Sequence, residues 1–472
     1  SKKPVRAAHS WLQRYPQMAR LLRAAVVPIA VAVGQQLDNV ALLQAAPVDE
    51  PVDINAPFRQ PLINFGDAQY IAYVTMGGQL IPGMVDTGSS ELVVFGATCT
   101  SCGPAPARYN PMLSSTYQEG KLQNLYVFGN GGASCVSSQE QVSIGPFRSS
   151  NQTFWAAETA DMPILENAAF EAVIGLAPPE LPMINAWQQA VTMVQKLTDT
   201  YDNGELAPRE IVDEAKEAID VAKSLTQGAA MLRSFNVSSF SICFGAKTGS
   251  NGVLVWNDKT HRDYKQLFTQ VPITGNATWT VKLSSANVSG RRGSFDFDCA
   301  GACDALLDSG SSLIGVPRAV KETIQEAMQD LNSDCTNLDA LPSLHFKLGE
   351  ATVSLTPDAY VARVSGVHKK SAHTILKRLP SLGDEEHKCK LMLVETDEMG
   401  EPEKKPLWVL GMPFFRKYYT SFSIGRSRAD RALYIAPSNA GCIPTSYAMS
   451  LTEDRFQEQH FTNRTVNASH MY

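Results

Sequence analysis

A short motif occurs twice in this chain of 472 residues, and each copy is followed by a second shared motif. The first motif is MVDTGSSELVVF at residues 84–95, and it returns 222 positions later as LLDSGSSLIGVP at residues 306–317. The second is AVIGLA at residues 172–177, matched by WVLGMP at residues 408–413. A single copy predicts no more than a hairpin turn in which Asp86 bonds its own backbone. Two copies in the same order indicate an internal duplication, and hence two similar lobes that face each other.

The length and the pattern along the chain also favour two β lobes. A chain of this length exceeds what one hydrophobic core usually supports. Short alternating apolar runs broken by Gly, Pro and Ser dominate from about residue 67 to 154, and strand-like runs return from 240 to 360. We therefore predict an all-β, bilobal protein. Its segments are a signal or pro-segment with a proline-rich linker (1–66), an N-terminal lobe (67–257), a C-terminal lobe (258–445) and a polar tail (446–472).

A helical hairpin is predicted inside the first lobe, at about residues 184–228. Apolar residues share one helical face on each side of the sequence DNGELAP, where Gly204 would end the first helix and Pro208 would begin the second. The hairpin is either a surface elaboration packed on one lobe or a site for a partner protein.

Charge and cysteine content indicate a protein of the secretory pathway that does not bind nucleic acid. The net charge is −6, yet residues 1–46 carry about +5, which leaves about −11 on the remainder. A basic head on an acidic body suggests that the head docks on the body. Nine cysteines favour an oxidising compartment. Six sequons for N-glycosylation point the same way, at Asn151, Asn236, Asn276, Asn287, Asn463 and Asn467.

The apolar run at residues 24–33 follows a basic stretch and is too short to span a bilayer. Two interpretations remain open, the core of a signal peptide and a strand of a pro-segment. We expect no stable membrane span, because no later segment is long and apolar enough.

The four motifs, in this order, resemble those of the pepsin-type aspartic proteases, and the resemblance covers about residues 67–440. It implies a pepsin-like fold in which Asp86 and Asp308 form a catalytic dyad across the lobe interface. It also implies that Thr87 and Ser309 cross-bond the two turns. It further implies a monomer that needs no cofactor or metal and takes polypeptide into the cleft between the lobes. The supporting strands would be Val173-Ile174-Gly175 and Val409-Leu410-Gly411.

Two carboxyl groups suit the cleavage of a peptide bond by water. With no evident nucleophile or metal site in the sequence, water must be activated directly. Carboxyl groups within hydrogen-bonding reach cannot both ionise readily, so they share one proton at mildly acidic pH. Sequence alone does not assign that proton to either aspartate. Gly88 and Gly310 allow tight turns, and we expect Ser89 and Ser311 to donate hydrogen bonds that orient the carboxylates.

The hairpin flap that covers the cleft in that family departs from the family's pattern here. The matching stretch is LYVFGNGGASC, which puts Phe128 where the family carries a tyrosine. Its glycine-rich tip, which begins with Gly129 and Asn130, is expected to be flexible and to contact substrate. The tryptophan that commonly bonds that tyrosine is also missing, with Val93 in its place. Tyr126, two residues earlier on the same strand face, is a candidate substitute, and Phe128 would otherwise supply apolar packing.

The resemblance also implies four disulfides. Cys135 would then be either a buried thiol or an intermolecular link. A zinc site at the C-x-x-C sequence of residues 99–102 would need a second close pair with similar spacing, which the sequence lacks. The implied pairs are Cys99 with Cys102, Cys299 with Cys303, Cys335 with Cys389, and Cys243 with Cys442, the last as in membrane-linked relatives of the beta-secretase type.

We therefore predict an aspartic endopeptidase of an extracellular or an acidic vacuolar or lysosomal compartment. Residues 1–66 are expected to contain a pro-segment whose basic residues lie over the acidic cleft and delay activity. The alternative is a catalytically silent binding protein or inhibitor on the same fold. Such proteins usually lose an aspartate or a turn glycine, whereas this chain keeps both.

Overall fold

The computed structural model describes most of both predicted lobes and a few residues that precede the first lobe. The described residues are 53, 55–103, 108–180, 230–290, 293–297, 299, 303–327, 331–365, 388–396, 406–446, 464–467 and 471. Most of the predicted pro-segment and all of the predicted helical hairpin lie outside these residues.

Strands dominate the described residues, which confirms the prediction of an all-β, bilobal fold. The strands up to residue 256 are β1 (Phe58–Phe65), β2 (Gln69–Met76), β3 (Gln79–Asp86), β4 (Leu92–Val94), β5 (Gln118–Phe128), β6 (Gly131–Ile144), β7 (Phe147–Asp161), β8 (Ala172–Gly175), β9 (Ser239–Cys243) and β10 (Gly252–Trp256). The later strands are β11 (Thr269–Pro272), β12 (Thr280–Gly290), β13 (Gly293–Asp296), β14 (Cys303–Leu307), β15 (Ile314–Val316), β16 (Ser343–Leu348), β17 (Ala351–Leu355), β18 (Val361–Ser365), β19 (Lys388–Leu391), β20 (Leu393–Glu395), β21 (Leu407–Leu410), β22 (Tyr418–Ser423), β23 (Ala432–Pro437) and β24 (Thr465–Asn467).

The helices of the described residues are short. The α-helices are α1 (Met231–Ser234), α2 (Thr260–Asp263), α3 (Arg318–Ala327), α4 (Pro357–Tyr360) and α5 (Met412–Phe415). The 3-10 helices are Pro111–Leu113, Pro163–Glu166, Lys265–Leu267, Leu338–Ala340 and Arg428–Asp430. Within the described ranges no helix has the length and apolar character to cross a membrane.

The same three-strand arrangement recurs in both lobes. In the first lobe, β8 lies between β3, to which it is parallel, and β4, to which it is antiparallel. In the second lobe, β21 lies in the same way between β14 and β15. The central strand is fully buried in the first lobe and nearly so in the second, which agrees with its unbroken apolar sequence. The sequence duplication is therefore a duplication of this strand arrangement.

A six-stranded segment of sheet joins the lobes, in the order β11-β23-β22-β9-β10-β1. Its central pair, β9 and β22, brings together the two halves of the chain. Phe240 of β9 stacks on Phe422 of β22, with ring centroids 4.7 Å apart. Trp279 in the second lobe donates a hydrogen bond of 2.8 Å from its indole nitrogen to the carbonyl oxygen of Leu176 in the first. These contacts hold the two lobes together beneath the interface between them.

The folded body begins at β1, earlier than the boundary at residue 67 that we placed from the sequence. β1 pairs with both β10 and β2, so residues assigned to a linker are part of the sheet. Prolines suggested the linker, and Pro61 does lie within the strand. Alternate side chains are nevertheless buried at Gln60, Leu62 and Asn64, which is the period of a half-buried strand.

Four disulfides are present, and they are the four that the resemblance implied. The pairs are Cys99–Cys102, Cys243–Cys442, Cys299–Cys303 and Cys335–Cys389. Because Cys99 and Cys102 are bonded to each other, they are not available as zinc ligands. Cys135 is unpaired and fully buried, which favours the buried thiol over an intermolecular link. Burial raises the pKa of this thiol well above its ordinary value.

The chain also contributes a strand from the segment that we assigned to a polar tail. β24 runs parallel to β18 in a three-stranded sheet with β19. Just before it, buried Arg464 forms an ion pair of 2.5 Å from Nη1 to Oδ1 of Asp67, at the start of the first lobe. Its Nη2 donates a hydrogen bond of 2.6 Å to the carbonyl oxygen of Ala246. Residues near the end of the sequence are thus fastened to the first lobe.

We expect Arg464→Met to lower the free energy of unfolding by about 3 kcal/mol, because it leaves the buried Asp67 carboxylate without this cation. Urea titration followed by tryptophan fluorescence measures the change. The matched control is Arg318→Met, since Arg318 pairs with Glu395 while 45% of its side chain is exposed. That pair should contribute less than about 1 kcal/mol. Equal losses in the two variants would contradict an anchoring role for Arg464.

Candidate active site

The two aspartates of the repeated motif lie at the ends of equivalent strands. Asp86 is the last residue of β3, and Asp308 directly follows β14. A Cβ atom added at Gly310 would lie 2.5 Å from Oδ1 of Asp86, and one added at Gly88 would lie 2.9 Å from Cγ of Asp308. Each turn glycine therefore makes room for the carboxyl group of the opposite lobe. The fold brings the two carboxyl groups together.

Thr87 and Ser309 lock the two turns to each other. The amide nitrogen of Ser309 donates to Oγ1 of Thr87 at 2.9 Å, and the amide nitrogen of Thr87 donates to Oγ of Ser309 at 3.1 Å. The two hydroxyl groups in turn donate to carbonyl oxygens across the interface, at Leu307 and Val85, each at 2.8 Å. Both side chains are fully buried. These bonds have the cross-bonding arrangement that the resemblance implied.

Two donors hold the carboxylate of Asp86. The amide nitrogen of Gly88 donates to its Oδ1 at 2.7 Å, and the hydroxyl group of Ser89 donates to its Oδ2 at 2.6 Å. The Asp86 residue is 4% exposed. Each oxygen of the Asp86 carboxyl group therefore has a protein donor, which fixes the orientation of the side chain.

Asp308 has a different set of hydrogen bonds. Its Oδ1 accepts a hydrogen bond of 2.9 Å from the amide nitrogen of Gly310. Ser311 also bonds this carboxyl group through its backbone amide, while its hydroxyl group donates to the carbonyl oxygen of Leu313 at 3.2 Å. The protein around Asp308 shields it from water, and the neighbouring Asp86 adds negative charge. Both effects raise the pKa of Asp308 well above its ordinary value of 3.8.

The buried central strands support the two turns from below. The amide nitrogen of Leu176, just after β8, donates to the carbonyl oxygen of Asp86 at 2.7 Å. In the second lobe the amide nitrogen of Asp308 donates to the carbonyl oxygen of Leu410 at 3.1 Å. A Cβ atom at Gly411 would lie 2.0 Å from the carbonyl oxygen of Leu313. The turn and the strand are therefore so close that position 411 accepts only glycine.

The predicted flap is a β-hairpin made of β5 and β6, and its tip contacts the first lobe. Gly129 and Asn130 form the connection between Phe128 and Gly131, which pair in register. Asn130 is buried, and its Oδ1 accepts a hydrogen bond of 3.1 Å from the amide nitrogen of Ile164. We expected a flexible tip on the basis of its glycines. The Asn130 side chain ties the tip to the 3-10 helix beside it, and the flexibility of the tip stays a prediction.

Tyr126 and Phe128 both face the first lobe. There they contact Glu91 and Trp155, two residues that the sequence did not single out. Phe128 is 7% exposed and packs in an apolar cluster with Trp155 of β7. The hydroxyl group of Tyr126 donates to Oε2 of Glu91 at 2.6 Å. The indole nitrogen of Trp155 donates to Oε1 of the same carboxyl group at 2.9 Å. Sequence analysis missed Glu91 and Trp155, although a lone acidic residue before the apolar run LVVF was a signal for the first.

No group of three or more His, Cys, Asp and Glu side chains in the described part of the chain is placed to hold a metal ion.

Comparison with known proteins decides the family. The sequence pattern of the family described as eukaryotic aspartyl protease matches residues 69–433. The chain belongs to this family. Among similar proteins, cathepsin E of Rattus norvegicus is 26% identical over 432 residues, which are 89% of this chain and 92% of that protein. Pepsin A of Bos taurus is 24% identical over 383 residues, 79% of this chain and 86% of that protein. Cathepsin E-B of Xenopus laevis is 26% identical over 387 residues, 79% of this chain and 81% of that protein.

In this aspartyl protease we expect Asp308→Asn to change stability in a way that depends on pH. The folded chain binds the Asp308 proton more tightly than the unfolded chain does, because the pKa is raised in the folded state. That preference favours folding at low pH, and it is lost as the pH rises from about 4 through the raised pKa. The variant should therefore melt above the wild type at pH 7 and lose this advantage near pH 3.

Differential scanning calorimetry at both pH values measures the effect. Asp304→Asn, four residues earlier and in β14, is the matched control and should show no such reversal. A variant that is less stable than the wild type at pH 7 would contradict the expected cost of ionising Asp308 there.

Proposed function

We propose that this chain is an aspartic endopeptidase, in which a water molecule activated between Asp86 and Asp308 hydrolyses peptide bonds of extended polypeptides. The observation that carries the proposal is the close approach of two carboxyl groups from equivalent turns of two lobes. Each lies near the position that a Cβ atom would take on the glycine of the opposite turn. Membership of the aspartyl protease family supports the class of reaction.

The unequal environments of the two carboxyl groups suggest their roles. Asp86, held by Gly88 and Ser89, is the carboxylate that accepts a proton from the bound water. Asp308, whose pKa is raised, holds the shared proton and delivers it to the oxygen of the scissile carbonyl. Water then adds to the carbonyl carbon and gives a tetrahedral diol. When the C–N bond breaks, the proton on Asp86 passes to the leaving nitrogen, and Asp308 recovers its proton from the diol.

The disulfides and the sequons support action in the secretory pathway. Four disulfides are typical of proteins that fold in an oxidising compartment. The sequon asparagines Asn151, Asn236 and Asn276 are exposed, as glycosylation requires. We propose that the enzyme acts there as a glycosylated monomer on polypeptide substrates, without a role in nucleic-acid binding.

We expect the wild-type chain to hydrolyse denatured haemoglobin at acidic pH. Activity should fall as the pH rises through the raised pKa of Asp308, because the shared proton is then lost. Asp86→Asn and Asp308→Asn should each lower kcat by at least about a thousandfold, since each removes one partner of the proton transfer. Asp304→Asn is the matched control and should keep wild-type activity. Release of peptides between about pH 3 and pH 7 measures all four proteins.

The same assay tests the pro-segment. A shortened chain should begin at residue 53, because β1 belongs to the folded body. If residues 1–52 delay activity, the full chain should show a lag at acidic pH that the shortened chain lacks. Absence of cleavage by both forms would favour the alternative of a catalytically silent binding protein.

A further inference from the structure

Glu91 is a buried carboxyl group that the proposed reaction does not use. It lies five residues after Asp86, immediately before β4, and it is 7% exposed. A carboxyl group in such a place is unfavourable unless hydrogen bonds compensate for the lost water. Burial raises the pKa of Glu91, and hydrogen bonds from Tyr126 and Trp155 oppose that rise. The contacts of Glu91 therefore decide what this buried carboxyl group does.

The Glu91 carboxyl group joins three separate elements of the first lobe. Its own segment leads from Asp86 into β4. Tyr126 reaches it from β5, the first strand of the flap, and Trp155 reaches it from β7. The rings of Tyr126 and Trp155 pack against each other, with centroids 5.3 Å apart, and Trp155 lies beside Val93 in the parallel register of β7 and β4. Tyr126 also stacks on Phe128, near the tip of the flap.

The backbone of Glu91 is fastened to the same strand end as that of Asp86. The amide nitrogen of Gly175 donates to the carbonyl oxygen of Glu91 at 3.2 Å. The next amide nitrogen, that of Leu176, donates to the carbonyl oxygen of Asp86 at 2.7 Å. A Cβ atom at Gly175 would lie 2.4 Å from the amide nitrogen of Glu91, so this contact is too close for any other residue. The flap strand is therefore connected to the Asp86 turn through one side chain.

We propose that Glu91 is a positioning residue that holds the flap over the Asp86–Asp308 pair, through the Tyr126 hydroxyl group, before substrate binds. This role rests on the proposed function and deepens it. A flap held in its binding position loses less freedom when a peptide enters the cleft, so peptides bind more tightly. Glu91 acts through Tyr126 and does not touch the reacting atoms.

The same hairpin provides a matched comparison. Glu140 of β6 is also buried, and the hydroxyl group of Tyr109 donates to its Oε2 at 2.5 Å. Thr116 donates to the other oxygen of Glu140. This second glutamate–tyrosine pair lies nine residues beyond Gly131, away from the flap tip. Loss of its hydrogen bond should affect stability but not the binding of peptides.

The first test separates substrate binding from chemistry. In Glu91→Ala the KM for an extended peptide should rise about tenfold while kcat stays within about twofold, because fewer molecules hold the flap in its binding position. The dissociation constant of the same peptide with a reduced, uncleavable scissile bond should rise by the same factor, as measured by calorimetry. Tyr109→Phe, the matched control, should leave the KM, the kcat and this dissociation constant at wild-type values.

A second set of variants tests whether Tyr126 acts through Glu91. Glu91→Gln should restore most of the affinity, since its carbonyl oxygen can accept from Trp155 while its amide group donates to the Tyr126 oxygen. Tyr126→Phe should raise the KM about as much as Glu91→Ala does. The double variant should be no worse than either single variant, because both changes break one connection.

Hydrogen exchange gives a readout that does not depend on activity. Amides of residues 123–128 should exchange faster in Glu91→Ala than in the wild type, and Glu91→Gln should reverse this. If the wild-type chain cleaves no peptide, the proposed function fails, and the dissociation constant and exchange rates still decide the role of Glu91. Lower stability with unchanged affinity and unchanged flap exchange would overturn the proposal, as would a large loss of kcat at constant KM. If Glu91→Ala does not fold, Tyr126→Phe and Glu91→Gln provide the same measurements.

Discussion

The reciprocal hydrogen bonds between Thr87 and Ser309 set the geometry on which the candidate active site depends. Each side chain bonds the backbone of the opposite turn, so neither turn can move without breaking bonds in both lobes. Both groups are fully buried, and a broken bond there would leave polar atoms without water to replace the partner. The penalty keeps Asp86 and Asp308 at a constant separation while the rest of each lobe packs around its own core.

The duplicated scaffold carries two unequal carboxyl groups. Ser89 and Ser311 occupy the same place in the repeated motif, yet only Ser89 directs its hydroxyl group to the adjacent aspartate. Burial of Asp308 and the negative charge of the neighbouring Asp86 raise the pKa of Asp308 well above its ordinary value. The repeated backbone therefore carries two different hydrogen-bond patterns at its two aspartates.

The parts of the fold that could be predicted are those that a short stretch of sequence indicates by itself. The turns at Asp86 and Asp308 repeat a short pattern, and the alternation of apolar residues marks the strands. The disulfides followed from resemblance to a family. The misplaced start of β1 had a local cause, because Pro61 suggested a linker even though the burial period of its neighbours is that of a strand.

Other features depend on contacts between residues that are far apart in the sequence. The Glu91 carboxyl group accepts hydrogen bonds from Tyr126 and Trp155, which are 35 and 64 residues away in the sequence. β24 is three residues long and has little apolar character of its own, so its position is set by Arg464 and by the strand it joins. The Ser311 hydroxyl group could donate to the Asp308 carboxyl group or to the carbonyl oxygen of Leu313, and the sequence does not distinguish these two acceptors.

The ion pair between Arg464 and Asp67 joins residues 397 positions apart in the chain. A ribosome produces the aspartate first and the arginine only after β1 to β23 have been made. During that interval the Asp67 carboxylate lacks this guanidinium group, and its available partners are the Asn64 side chain and the amide nitrogen of Gly249. The first lobe can form its sheet as the chain emerges, but this corner of it is completed only after both lobes have been made. The order of synthesis thus separates the formation of the two lobes from the formation of this ion pair.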